Sequence, residues 1–85
     1  MENTVQINNH TIVIFASMWN GKETVKYDGQ IVSSKRNLST FFSSIHSFKV
    51  QESGEEVIYE VQISGGIMSI GYAIRRNGII QAHKP

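Results

Sequence analysis

Asn20-Gly21-Lys22-Glu23-Thr24-Val25-Lys26-Tyr27-Asp28-Gly29 sets a short alternating run between two turn dipeptides. Asn-Gly and Asp-Gly suit a two-residue type I′ hairpin, because both central residues take positive φ, which glycine adopts freely and Asn or Asp tolerates. Between the turns, Glu23, Val25 and Tyr27 fall on one side and Thr24 and Lys26 on the other, the period of a β-strand. A strand closed by a hairpin at each end is the middle member of an antiparallel meander.

Reading outward towards the N-terminus, Thr11 to Trp19 is apolar on both faces, with Ile12, Ile14, Ala16 and Met18 on one and Val13, Phe15 and Trp19 on the other. That pattern predicts a central strand. Thr4 to Asn8 precedes it, with Val5 and Ile7 on one face and Asn8-Asn9 as the turn. On the other side, Asp28-Gly29 returns the chain into Gln30 to Arg36, whose apolar residues fade after Val32. Glu52-Ser53-Gly54-Glu55 is a further turn, and Val57 to Ser64 alternates cleanly, with Val57, Tyr59, Val61 and Ile63 on the core side. Gly65-Gly66 leads into Ile67 to Arg76, where Gly71 signals a bulge or a close backbone approach. Asn77-Gly78 then closes onto Ile79 to Ala82, and His83 to Pro85 are expected to fray.

The segment from Asn37 to Phe48 reads two ways. Phe41, Ile45 and Phe48 have the spacing of an amphipathic helix, with Ser39 or Thr40 as its N-cap, whereas Phe42, His46, Phe48 and Val50 fit a period of two. A loop followed by a strand from Ile45 to Gln51 is preferred, because β-branched residues and serines are poor helix formers. No internal repeat, linker or low-complexity tract is visible. The expected fold is all-β: an antiparallel β-sandwich of about seven or eight short strands joined mainly by tight hairpins. A small β-barrel, or an α+β fold with a short helix near 39–48, is the alternative.

With 85 residues, the chain supports one domain over 1–85, since a second core would need more apolar surface than so short a chain can bury. Lys and Arg number 8 against 7 Asp and Glu, so no global field drives the protein onto nucleic acid or an anionic surface. The chain has no cysteine, which excludes disulfides, thiolate metal sites and a cysteine nucleophile. Met1-Glu2-Asn3-Thr4 lacks the basic segment and apolar run of a secretory signal, and Ile12 to Ala16 falls far short of a membrane span. The expectation is a cytoplasmic protein with no membrane association.

His10-Thr11-Ile12, Asn20-Gly21-Lys22, Val25-Lys26-Tyr27-Asp28-Gly29, Phe48-Lys49-Val50 and Gly71-Tyr72-Ala73-Ile74 with Asn77-Gly78 follow one another in an order that resembles the Fas apoptotic inhibitory molecule family. The resemblance implies a β-sandwich that acts without catalysis, through protein contacts. It departs from the family at Leu38 to Phe42, which lacks that family's tryptophan, and it carries no functional residue over.

Read for chemistry, the chain offers no catalytic, cofactor or metal site. His10, His46 and His83 are far apart in sequence with no partner at a metal-ligand spacing. Ser43, Ser44 and Ser47 surround His46, so a small hydrolase using His46 and a nearby serine stands as a third reading, although sequence proximity alone supports it. Gly66 to Gly71 has one residue too many for a Gly-x-Ser-x-Gly elbow. Glu52, Glu55, Glu56 and Glu60 read as a solvated acidic turn. The candidate partner-binding residues are Trp19, Lys35, Arg36, Arg75 and Arg76. Trp19 is expected either to plug one end of the sandwich, the preferred reading, or to anchor a partner. If the ends of their two strands were neighbours, Lys35-Arg36 and Arg75-Arg76 could each give one cation to an anion site. The leading expectation is therefore a non-enzymatic module binding a protein, with self-association through an edge strand as a further possibility. Binding of nucleic acid or another anionic ligand through a local basic patch is the alternative.

Overall fold

Four hairpins close through two residues that both take positive φ: Asn8-Asn9, Asp28-Gly29, Ser53-Gly54 and Asn77-Gly78. That φ pair matches the right-handed twist of the flanking strands. It fixes the first pair of each ladder: Ile7 with His10, Tyr27 with Gln30, Glu52 with Glu55 and Arg76 with Ile79. The computed structural model describes residues 1–17, 19–36, 43–65 and 70–85.

Among the described residues the strands are β1 (Glu2–Ile7), β2 (His10–Ala16), β3 (Lys22–Tyr27), β4 (Gln30–Arg36), β5 (Ser44–Glu52), β6 (Glu55–Ser64), β7 (Gly71–Arg76) and β8 (Ile79–Lys84). They form two four-stranded antiparallel meanders, β1-β2-β3-β4 and β5-β6-β7-β8. Ile7, Ile12, Ile14 and Val25 of the first sheet and Phe48, Val57, Tyr59, Val61, Ile63 and Ile74 of the second share one buried core. The fold is thus a β-sandwich. It is not a closed barrel, because no described strand pairs across the two sheets. Residues 44–48 are strand, so the helical spacing of Phe41, Ile45 and Phe48 does not form a helix there, and 37–42 lie outside the described residues. No helix among the described residues is long and apolar enough to cross a membrane.

Asn20-Gly21 departs from expectation. Strand β2 stops at Ala16, and Ser17 to Gly21 form a longer loop in which only Gly21 takes positive φ. The Ser17 Oγ accepts the amides of Trp19 (3.2 Å) and Asn20 (3.4 Å), while the Ser17 carbonyl accepts the Gly21 amide (3.0 Å). A serine that satisfies nearby backbone donors competes with the ladder and ends the strand early. Trp19 therefore leaves the sheet, and Met18 lies outside the described residues.

The two meanders repeat one hydrogen-bonding device that the side chains conceal. Asp28 donates its amide to the Thr11 carbonyl (2.8 Å) and accepts the Thr11 amide through Oδ1 (2.8 Å). Asn77 does the same with Ile58, at 2.8 Å and 2.9 Å. Each of these turns is followed two pairs later by a bulge, which leaves Val32 in β4 and Gln81 in β8 without a partner across the ladder. The repeat is one of turn chemistry and register, so composition does not reveal it.

Gly71 faces a close backbone approach, as its sequence context suggests. A Cβ there would lie 2.5 Å from the Lys84 carbonyl oxygen and 2.9 Å from the Pro85 carbonyl carbon. Strand β8 continues past Ala82, since His83 and Lys84 pair with Ala73 and Tyr72. Gly71→Ala is expected to cost about 1–3 kcal/mol by overpacking. It should also speed amide exchange at the end of β8; unchanged protection there would count against this contact.

All four two-residue hairpins lie at one end of the sandwich, and the Ser17–Gly21 loop lies at the other with the C-terminal end of β4. The long axis is 40 Å, against 21 Å and 17 Å across. A seven-residue strand such as β4 spans roughly 20 Å, so groups at its two ends act independently.

Candidate functional site

At the hairpin end, the period of two that buries His46 and Phe48 carries on through Val50 to Glu52, which is only 6% exposed. An isolated carboxylate there would be costly, and it is matched on every side. It accepts hydrogen bonds from the Tyr27 Oη (2.5 Å) and Tyr59 Oη (2.7 Å), and a paired contact from the Arg76 Nε (3.0 Å) and Nη2 (2.9 Å). Burial by itself raises the Glu52 carboxyl, but the bonds from Tyr27, Tyr59 and Arg76 outweigh it and hold the pKa below its ordinary value. Burial, then the neighbouring Glu52 carboxylate, push the Tyr59 hydroxyl up to about 12 and raise that of Tyr27 as well. His10 stacks on Tyr27 with centroids 5.1 Å apart and bonds Asp28 through Nδ1 (2.7 Å). That bond, with the Thr11 amide, lowers the Asp28 carboxyl.

This node corrects two expectations. Glu52 is not part of a solvated acidic turn, and the Arg76 guanidinium is held by Glu52 rather than offered to a ligand. Arg75 points to the outer face of the second sheet beside Gln62 (3.4 Å). The dibasic pairs do not converge. Arg75-Arg76 sit near the hairpin end, whereas Lys35 and Arg36 pair with Glu23 and Lys22 at the opposite one.

Lys35 and Arg36 are instead brought together with Trp19. The indole is 97% exposed, so the expectation that it plugs the sandwich is overturned by the early end of β2. The Arg36 Nε donates to the Asn20 carbonyl (3.0 Å), and the Lys22 amide bonds the Asn20 Oδ1 (3.0 Å), tying this loop to β3 and β4. Asn20, Lys22, Ser34, Lys35 and Arg36 line an open groove of about 330 Å³. Lys22 also borders a second groove of about 570 Å³ on the outer face of the first sheet, floored by Val13, Phe15 and Ile31 and flanked by Lys26. Phe15 and Ile31 are 40% and 63% exposed. A free indole, three cations and an apolar strip therefore adjoin one another. Lys22 and the apolar strip are the part of this surface that sequence reasoning missed; the alternation through β2 and β3 placed these side chains outward, but nothing in it joined them to Trp19.

Between the two ends lies a buried polar chain linking the sheets. His46 has no solvent exposure, and its Nε2 lies 2.9 Å from the Glu23 Oε1. With the imidazole neutral, the proton sits on Nε2, since a carboxylate can only accept. The Nδ1 lone pair then faces the Ser33 hydroxyl, 2.7 Å away. The Ser44 Oγ donates to the same Glu23 oxygen. Ser33 is half-buried on β4, so the serine that meets His46 is none of the three flanking it in sequence. Among the described residues, no three His, Cys, Asp or Glu side chains are grouped to hold a metal ion. Compared with family models, curated proteins and solved structures, the chain has no match.

Proposed function

We propose that the protein is a non-enzymatic interaction module that grips an acidic segment of a partner protein at its Trp19 end. The observation that carries this reading is the 97% exposure of the one tryptophan in the chain. Burial of a large apolar side chain stabilises a fold by about 1.5–3 kcal/mol, and this sandwich forgoes that gain. Tryptophan is among the residues most enriched at the energetic centres of interfaces. Lys22, Lys35 and Arg36 supply charge complementarity for carboxylates, and Val13, Phe15 and Ile31 supply an adjoining apolar floor.

Nucleic acid is supported less well. Arg76 is engaged by Glu52 and Arg75 lies near the far end, so two of the four cations expected for a phosphate-binding patch are absent from it. The net charge of +1 adds no long-range attraction. Edge pairing between copies is also less favoured, because bulges interrupt the pairing of β4 and β8, and the Lys35 Nζ reaches across to the Ile45 carbonyl.

The test is affinity purification of a tagged copy from source-cell lysate in low and high salt, with mass spectrometry and absorbance at the nucleic-acid band. A protein retained in high salt is the expected result. Trp19→Ala should weaken its binding roughly 30-fold, the equivalent of a 2 kcal/mol hot spot, at unchanged thermal stability. Nucleic acid that elutes as salt rises and ignores Trp19→Ala would overturn the proposal.

A further inference from the structure

The Glu23–His46–Ser33 chain goes beyond binding. We propose that Ser33 is a covalent acceptor for a single acyl group delivered by an activated ester or thioester. The geometry supplies what a hydroxyl needs to become a nucleophile at neutral pH: a base within hydrogen-bond reach, at 2.7 Å, and a carboxylate that fixes the tautomer of that base, at 2.9 Å. The arrangement is graded in depth. Glu23 and His46 are buried, whereas Ser33 sits half-buried on edge strand β4, where a reagent meets the hydroxyl first. Ser44 holds the Glu23 oxygen that orients His46. Glu23 is thus a positioning residue, and His46 the group that takes the proton.

In the step, the Ser33 Oγ attacks the acyl carbon and forms a new C–O bond. The bond to the leaving alcohol or thiol breaks, and the leaving group departs with that electron pair. The Ser33 proton passes to the His46 Nδ1 and from there to the leaving group, so nothing is oxidised or reduced. The same burial argues against release. Hydrolysis would require a water at Nδ1, and His46 has no exposure once the ester occupies the only side on which it meets Ser33. The product is a lasting acyl-serine, a modification site rather than a turnover site.

The probe is p-nitrophenyl acetate, read by nitrophenolate release and by peptide mapping of the acetylated protein. The expected result is one equivalent released, with acetyl on Ser33 formed about 100-fold faster than on outward-facing Ser34, the low end of what a positioned base contributes. Ser33→Ala should remove that adduct with the circular dichroism spectrum unchanged, and His46→Gln should slow it to the Ser34 rate. Should His46→Gln fail to fold, nitrogen NMR of the unaltered protein decides the point. A proton on Nε2 supports the proposal and one on Nδ1 overturns it. Acetylation without preference for Ser33, or release continuing past one equivalent, overturns it as well.

Discussion

Glu52→Ala is expected to lower stability by about 3 kcal/mol, read as a lower urea midpoint at unchanged m-value. The loss comes from what is left behind. Arg76 keeps a buried-facing charge without its carboxylate, and the Tyr27 and Tyr59 hydroxyls lose their common acceptor. Breaking a buried ion pair typically costs 3–5 kcal/mol, and the low end applies because the Arg76 side chain is 27% exposed and partly hydrated. A domain of this length has a total stability of roughly 4–13 kcal/mol, so the variant is marginal. Tyr59→Phe removes one donor and leaves Glu52 with three, so about 1 kcal/mol is expected there. A Glu52→Ala midpoint shift no larger than that of Tyr59→Phe would show that the node is well solvated.

The same groups set the pH range of stability, and the signs differ. Glu52 and Asp28 have folded pKa values below the ordinary carboxylate value. Their contribution is complete above the unfolded pKa of about 4 and is lost as pH falls through the lower folded value. Tyr59 has a raised folded pKa, about 12. Its contribution is complete below the unfolded pKa of about 10 and is lost as pH rises towards the folded value. A plateau between these limits is expected, with Glu52→Ala flattening both shoulders.

How far the sequence foretells this molecule depends on the range of the signal. The φ demands of Asp28-Gly29 and Asn77-Gly78 are local, and with the alternation from Val57 to Ser64 they give a sandwich of hairpins directly. Strand β4 matches its expected bounds of Gln30 to Arg36. Trp19 was misplaced by a competition within five residues, the Ser17 hydroxyl against a strand ladder, which alternation does not register. The inward placement of Glu23 is legible beside Val25 and Tyr27, and that of Glu52 follows from continuing the period begun at His46. Their partners are not legible. Glu52 meets Arg76 across 24 residues and His46 meets Ser33 across 13, separations that only the stacking of two sheets closes. Convergence of Lys35-Arg36 with Trp19 has the same origin, in strand order rather than in composition.

The sharpest test of that stacking is the pair Glu23 and His46. His46→Leu alone leaves the Glu23 carboxylate buried with only Ser44 against it, and a loss of about 3–5 kcal/mol is expected. Glu23→Leu alone strands the His46 Nε2 proton in the core, costing about 1–3 kcal/mol for an unsatisfied donor. The double variant removes both demands at once, and two leucines fill similar volume. Ser33 and Ser44 are each half-buried, so their hydroxyls can turn to water when their partners go. The double variant should therefore be more stable than His46→Leu alone and close to the unaltered protein, because an apolar pair replaces a buried ionic one at little net cost. A double-mutant cycle in urea measures the coupling. Losses that simply add would mean that the two side chains do not depend on each other, and the polar chain between the sheets would then not be what sets their register.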